Sequence, residues 1–481
     1  IEMIVTLRSH FRNMDKYKKL LSNTLIFAIG TFGSKLLVFF LTPFYTSVLT
    51  SEELGVGDLV TQTANLIIPL MSLGIVNGII RFGLDRAVRK DDVLSTGLIV
   101  ILGGYLLLWP FYPLLAQISV IAGYSWLIYL FVIASAMRSL FSQFVRVRGY
   151  TKLYALDGII STATTILFNI IFLKALSLSV TGFVLATICS DALSALFLFC
   201  AAELKRYIKF QGIRRQTALE MIRYSAPLIP NMLFWWITNS SDKFVVGYMI
   251  GASASGLINV AYKIPMIINL VATFFLDAWQ MSAVTEEKDR ERFFTKVFKS
   301  YGAVVFMAAS GIILCSPLIM RFFVGFSKDP QYGLAWKYVP FLVMGTAFSC
   351  LVTFLGSIYT VEKKSMLSMG TMAVGAAVNL AMNLALTPFF GVQGAAFATF
   401  FSYGLVFILR AVNTRQYIRL GMDVGKVLVN TSILAGQSLL LIYEPPYWWA
   451  WEIALTALML LINGKGLVIS VQRLLRRNRQ F

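Results

Sequence analysis

Apolar runs of 18 or more residues recur from one end of this chain to the other, and no other feature constrains its fold so tightly. At a rise of about 1.5 Å per residue, each run is long enough as a helix to cross a hydrocarbon layer of roughly 30 Å. The runs are continuous and lack the in/out alternation of a membrane-barrel strand. Lipid offers the backbone no hydrogen-bonding partner, so helices are the remaining solution. Charge content agrees: 14% of the 481 residues are charged, where a soluble domain carries about a quarter. The expected fold is an all-α polytopic membrane protein. Its spans fall near residues 20–43, 57–80, 93–116, 124–145, 153–173 and 181–202, then 225–248, 256–281, 299–323, 336–360, 366–386 and 393–413. Two more near 427–443 and 447–470 make about fourteen.

Lysine and arginine collect in alternate loops. One side carries clusters at 12–19, 81–90, 146–152, 205–223, 288–299, 363–364, 410–426 and 473–479, whereas the other carries only Lys174, Arg321, Lys328 and Lys337. Short basic loops face the cytoplasm, which places both termini there. The net charge of +19 is thereby explained by topology, and a nucleic-acid partner is not expected. Lys16–Lys19 lead into an apolar run too long for a cleavable signal, and Met14 is a candidate start. The four cysteines lie inside apolar runs with no paired spacing, and the one histidine, His10, precedes the first span. Neither a disulfide framework nor an intramembrane histidine centre is supported. There is no phosphate-cradling loop of the kind an ATP-driven motor needs. The outer loops are too short for a polymerase or glycosyltransferase site. The expected protein is not an enzyme and needs no cofactor.

The longest polar stretch in the interior, Glu203–Arg223, divides the chain into halves that match beyond hydropathy. Leu54, Gly55 and Asp58 correspond to Ser255, Gly256 and Asn259 at one constant shift. Lys152, Gly158, Gly182 and Thr187 correspond to Lys364, Gly370, Gly394 and Thr399 at another. Each copy has six spans, so the second starts on the same side as the first and the repeats are parallel. The expected organisation is an N-lobe (1–202), a cytoplasmic linker (203–223), a C-lobe (224–420) and two further helices with a basic tail (421–481). Two six-helix lobes would enclose a central cavity, with access alternating as one rocks against the other.

Ionisable residues deep in spans are costly, and they face partners or a wet cavity. The cations are Lys35, Arg138, Lys243 and Lys263; the anions are Asp157, Asp191, Asp242 and Asp277. One reading is a hydrated cleft with cationic walls for a phosphate or diphosphate. In the other, these charges neutralise one another or reach to the headgroups. Lys35 and Arg138 are the strongest cavity candidates, Lys243 beside Asp242 is evenly balanced, and Asp157 reads as structural. Asp58 and Arg81 bracket the second span and could pair across its ends or touch cargo. Prolines in or beside spans, Pro265 among them, offer kinks.

Two stretches carry a resemblance. Ser34–Asp85, SKLLVFFLTPFYTSVLTSEELGVGDLVTQTANLIIPLMSLGIVNGIIRFGLD, resembles the first two helices of the polysaccharide transporter branch of the multidrug/oligosaccharidyl-lipid/polysaccharide exporter superfamily. Asn239–Pro265, NSSDKFVVGYMIGASASGLINVAYKIP, resembles its seventh-to-eighth helix region. The resemblance implies a flippase in a bacterial cytoplasmic membrane, moving polyprenyl-diphosphate-linked sugar repeat units from inner to outer leaflet. Lys35, Arg138, Lys243, Lys263 and Arg81 would meet the diphosphate. Asp58, Asp191, Asp277 and Asp242 are candidates for H⁺ or Na⁺ coupling. Membrane lipids and polysaccharide polymerase or assembly proteins are the implied partners. A lipid II-type flippase, a cation-coupled multidrug exporter and a non-transporting scaffold stand as alternatives.

Overall fold

The computed structural model describes residues 39–211, 213–285, 290–362 and 364–478, and among them the regular structure is entirely helical. After a helical stretch over 39–48 come α1 (Ser51–Met71), α2 (Ile75–Leu84), α3 (Lys90–Leu108), α4 (Ser125–Val147), α5 (Thr151–Asn169), α6 (Ser179–Ala201) and α7 (Arg215–Ser225). Then follow α8 (Ile229–Met249), α9 (Ala252–Lys263), α10 (Met266–Thr285), α11 (Arg290–Val324), α12 (Val339–Val361), α13 (Ser365–Asn413), α14 (Val424–Tyr443) and α15 (Trp448–Asn478). Every expected span from the second onward is occupied by helix. Most of the first lies outside the described residues. Among the described residues, nine continuous helices are long and apolar enough to cross a membrane, or ten with the bent pair α9–α10. The 49-residue α13 holds two expected spans, parted at Gly391, whose φ of 58° takes the backbone out of the helical region.

The breaks fall where the sequence removes a helical hydrogen bond or admits positive φ. The second expected span splits into α1 and α2 at Leu73–Gly74, both left-handed (φ 49° and 60°), one turn after Pro69. The eighth bends by 41° between α9 and α10, at Pro265, which has no N–H to donate.

The chain divides into two compact units. One comprises the chain up to Leu41 together with Thr63–Ile229; the other comprises Thr42–Gln62 and Pro230–Phe481. In the first, the stretch expected as a linker is docked rather than loose. Leu204 and Met221 are buried, Lys209 Nζ lies 2.9 Å from Asp91 Oδ2, and the Arg148 guanidinium sits over the Tyr207 ring while donating to its hydroxyl.

In the second unit, residues 42–62 are held by their repeat-mates. A Cβ placed on Gly55 would lie 1.9 Å from Ala252 O, and one on Gly256 would lie 1.9 Å from Ser51 O. The two contacts exchange under a shift of 201 positions, which maps Gly55 onto Gly256, Ser51 onto Ala252 and Asp58 onto Asn259. The contact is self-complementary, as an interface between two equivalent segments must be, and only glycine lets the backbones approach so closely. Asp329 seals the same corner, accepting from Ser51 N–H at 3.0 Å and Ser51 Oγ at 2.5 Å.

Candidate functional site

A polar cavity of about 210 Å³ opens in the second unit, beside the break between α9 and α10. α9 ends at Lys263 because Pro265 cannot continue its ladder, so this lysine occupies the last turn, where unsatisfied carbonyls favour a cation. Lys263 lines the cavity together with Lys243, Gln62, Asn239, Asn259, Tyr262 and Tyr403. Gln62 is the repeat-mate of Lys263, again 201 residues away. Extending the repeat alignment by one turn identifies it.

The two lysines differ in their surroundings. Lys243 Nζ lies 2.8 Å from Asp58 Oδ2, both side chains almost fully buried, and 5.6 Å from the centre of the Tyr262 ring. Asp58 Oδ1 also accepts from Gln62 Nε2 at 3.5 Å, and Ser240 Oγ donates to Gln62 Oε1. Asp242 turns away from Lys243's ammonium, accepting instead from its backbone N–H at 2.8 Å and from the Tyr262 hydroxyl. A buried charge needs a partner of opposite sign or several hydrogen bonds, and Asp58, Asp242 and Lys243 each have one or both. Lys263 has no carboxylate within ion-pair distance among the described residues. Beside it, the buried Asn259 Oδ1 has no hydrogen-bond partner, while Tyr403 Oη donates to Asn239 Oδ1 at 2.9 Å. The volume equals on the order of seven waters at about 30 Å³ each. That admits a phosphate-sized group.

In the first unit a second charge cluster joins three helices. Arg138 of α4 places Nη1 2.8 Å from Asp191 Oδ1 of α6 and Nη2 3.7 Å from Asp157 Oδ2 of α5. Ser135 donates to Asp191, and Ser194 donates to Asp157 while accepting from Arg138 Nε at 3.0 Å. Arg138, expected as a cavity cation, is a cation shared between two acids. Lys243 pairs with Asp58 and not with its chain neighbour Asp242, because helical geometry points adjacent side chains apart. Asp58 is thus committed to Lys243 instead of Arg81, which is exposed in the last turn of α2. Lys35 and the side chain of Asp277 lie outside the described residues.

Arg410 corrects the loop assignment. It is buried in α13, donating to Val352 O, Ser368 O and Thr371 Oγ1 over the Tyr359 ring. Its place at an expected span end concealed this from hydropathy. Glu452 and Gln437 were also missed, because each lies inside an apolar run.

Residues 20–280 match the model of a family described as polysaccharide biosynthesis protein. No protein of curated function matches the sequence. Among solved structures, the fold is similar to that of the lipid II flippase MurJ in an inward closed conformation, with TM-score 0.68 and 14% identity over 93% of this chain and 99% of that one. It is also similar to an inward-facing multidrug resistance MATE family transporter of the MOP superfamily, with TM-score 0.64 and 13% identity over 79% and 95%. An outward-facing transporter of that family gives 0.58 at 14% identity over 86% and 95%.

Proposed function

Because the chain belongs to the polysaccharide biosynthesis protein family, we propose that it is a flippase for a polyprenyl-diphosphate-linked oligosaccharide. It would carry the repeat unit from the inner to the outer leaflet of a bacterial cytoplasmic membrane, for capsule, O-antigen or exopolysaccharide export. The observation that carries this reading is Lys263, an ammonium with no carboxylate partner among the described residues, in a cavity lined by amides and hydroxyls. Phosphate oxygens are the partners such a set of N–H and O–H donors lacks. We assign the diphosphate to this cavity; the sugar and the prenyl chain would lie elsewhere. Lys243 lines the same cavity in its pair with Asp58, and Arg138, Arg81 and Lys35 are further proposed contacts to the headgroup.

H⁺ or Na⁺ coupling at Asp191, Asp242, Asp58 or Asp277 supports the same cycle, with both termini in the cytoplasm and assembly proteins as partners. A lipid II-type precursor is the second reading, favoured by the match to nearly the whole length of a lipid II flippase. The test is reconstitution in liposomes with fluorescent lipid-linked oligosaccharide, lipid II and a cationic dye as separate cargoes. Lys263→Met is expected to lower flipping at least tenfold, equal to about 1.4 kcal/mol of lost headgroup binding, with Lys263→Arg retaining part of it. Full activity in Lys263→Met, or efflux of the dye alone, refutes an anionic cargo at this cavity.

A further inference from the structure

A second polar centre lies away from the cavity, between α11, α14 and α15. Glu452 enters one turn after the start of α15, and it is completely buried, as is Gln437 of α14. Gln437 Nε2 donates to Glu452 Oε2 at 2.9 Å and to Thr456 Oγ1 at 2.9 Å, and Ser310 of α11 reaches Thr456 at 3.4 Å. Two atoms remain without partners: Glu452 Oε1 and Gln437 Oε1.

The surroundings decide the charge on this carboxyl group. From α14 the facing group is Gln437 and from α11 it is Ser310, neither of them titratable. Among the described residues, the nearest other ionisable groups of these helices lie elsewhere: Cys315 and Tyr443 are exposed, Arg321 is in the last turn of α11, and Glu444, past the end of α14, lies 3.4 Å from Lys337. A carboxylate here would have amide N–H donation at one oxygen and nothing at the other, in a membrane span where an unpaired charge is expensive. A single added hydrogen changes the count. On Glu452 Oε1 it turns an acceptor into a donor, and the acceptor still lacking one is Gln437 Oε1. The amide already donates to the other acid oxygen, so a proton on Glu452 Oε1 donated to Gln437 Oε1 would close a ring of two hydrogen bonds between an acid and an amide.

We propose that Glu452 is a proton-binding site of the membrane interior, carrying its proton at Oε1 and donating it to Gln437 Oε1, so that the acid–amide ring pins α15 to α14. The bound species is a proton taken from water; its release leaves a carboxylate that is tolerable only once water reaches it, so deprotonation and parting of the two helices go together. Glu452 thereby holds a proton independently of the Asp58 and Arg138 clusters.

The experiment is infrared spectroscopy of the full chain in lipid nanodiscs at neutral pH, with isotope-labelled glutamate, alongside thermal unfolding from neutral to alkaline pH. Expected is a protonated-carboxyl carbonyl band that shifts with the label, is absent in Glu452→Gln and moves in Gln437→Met. Glu452→Gln keeps an amide in the ring's place and should lose the fall in stability that the wild type shows as pH rises. A wild type without the labelled band, or an unchanged pH slope in Glu452→Gln, overturns the proposal. A gain in stability on replacing choline by sodium at fixed pH, lost in Glu452→Gln, overturns it in favour of a metal cation. Should Glu452→Gln fail to fold, the labelled wild-type band and its movement in Gln437→Met decide the matter alone.

Discussion

Replacing Gly55 by alanine tests the repeat contact on which residues 42–62 depend. The new Cβ would lie 1.9 Å from the Ala252 carbonyl oxygen, and ordinary contact begins near 3.4 Å, so the two backbones must part by about 1.5 Å. Neither atom can rotate aside, because one is fixed to the α1 backbone and the other is backbone at the start of α9. Overpacking of this kind costs about 1–3 kcal/mol, and a backbone obstacle argues for the upper end. Alanine recovers up to about 1 kcal/mol through its better helix propensity, leaving a net loss of about 2 kcal/mol. Gly103→Ala is the internal control: it lies in α3 with nothing within 4 Å of a new Cβ, so only the gain applies. Two identical chemical changes should therefore differ by about 3 kcal/mol. Gly256→Ala should resemble Gly55→Ala, since its Cβ meets Ser51 O at the same 1.9 Å. The double variant should cost clearly less than the sum, because the separation forced by one methyl makes room for the other. The assay is apparent melting temperature in detergent at one scan rate, with flipping measured on the same preparations. Equal melting of Gly55→Ala and Gly103→Ala, or strict additivity of the double variant, would show that the backbones do not meet here.

Three other outcomes follow from the charge clusters. Asp58→Asn should destabilise by about 3–5 kcal/mol by leaving Lys243 buried without its partner, and Asp58→Asn with Lys243→Met should recover most of that loss, read as melting temperature. Arg138→Met should lower the yield of folded protein, since two acids then face each other, and adding Asp191→Asn should restore it; an undiminished single variant would remove the ion pairs from the account. Asp329 lies in the loop between α11 and α12. Burial raises its carboxyl, but donation from Ser51 Oγ and from the backbone N–H groups of Gln331 and Ser51 outweighs this and holds it below the usual range. A depressed carboxyl stabilises the fold above its unfolded-state value and loses that contribution as pH falls through the folded one. The wild type should therefore melt above Asp329→Asn at neutral pH, and the two should converge in acid; a constant gap would rule out the titration.

Sequence by itself determined the solvent of this fold, the helical class and the repeat. Those properties follow from run length, the absence of alternation and a shift that recurs along the chain, all of which survive without coordinates. The shift even marked the point of closest approach, since Gly55 and Gly256 were already paired by it. What tertiary structure decided was the partner of each intramembrane charge. Lys243 stands next to Asp242 in the chain yet pairs with Asp58, because helical geometry sends neighbours in different directions and brings residues of distant segments together. The same geometry took Arg138 out of the pool of free cations, buried Arg410 and left Lys263 at the end of a helix that Pro265 had cut short. A ledger of charges by position cannot say which are cancelled, because cancellation depends on distances of about 3 Å, and these are fixed only when separate helices pack.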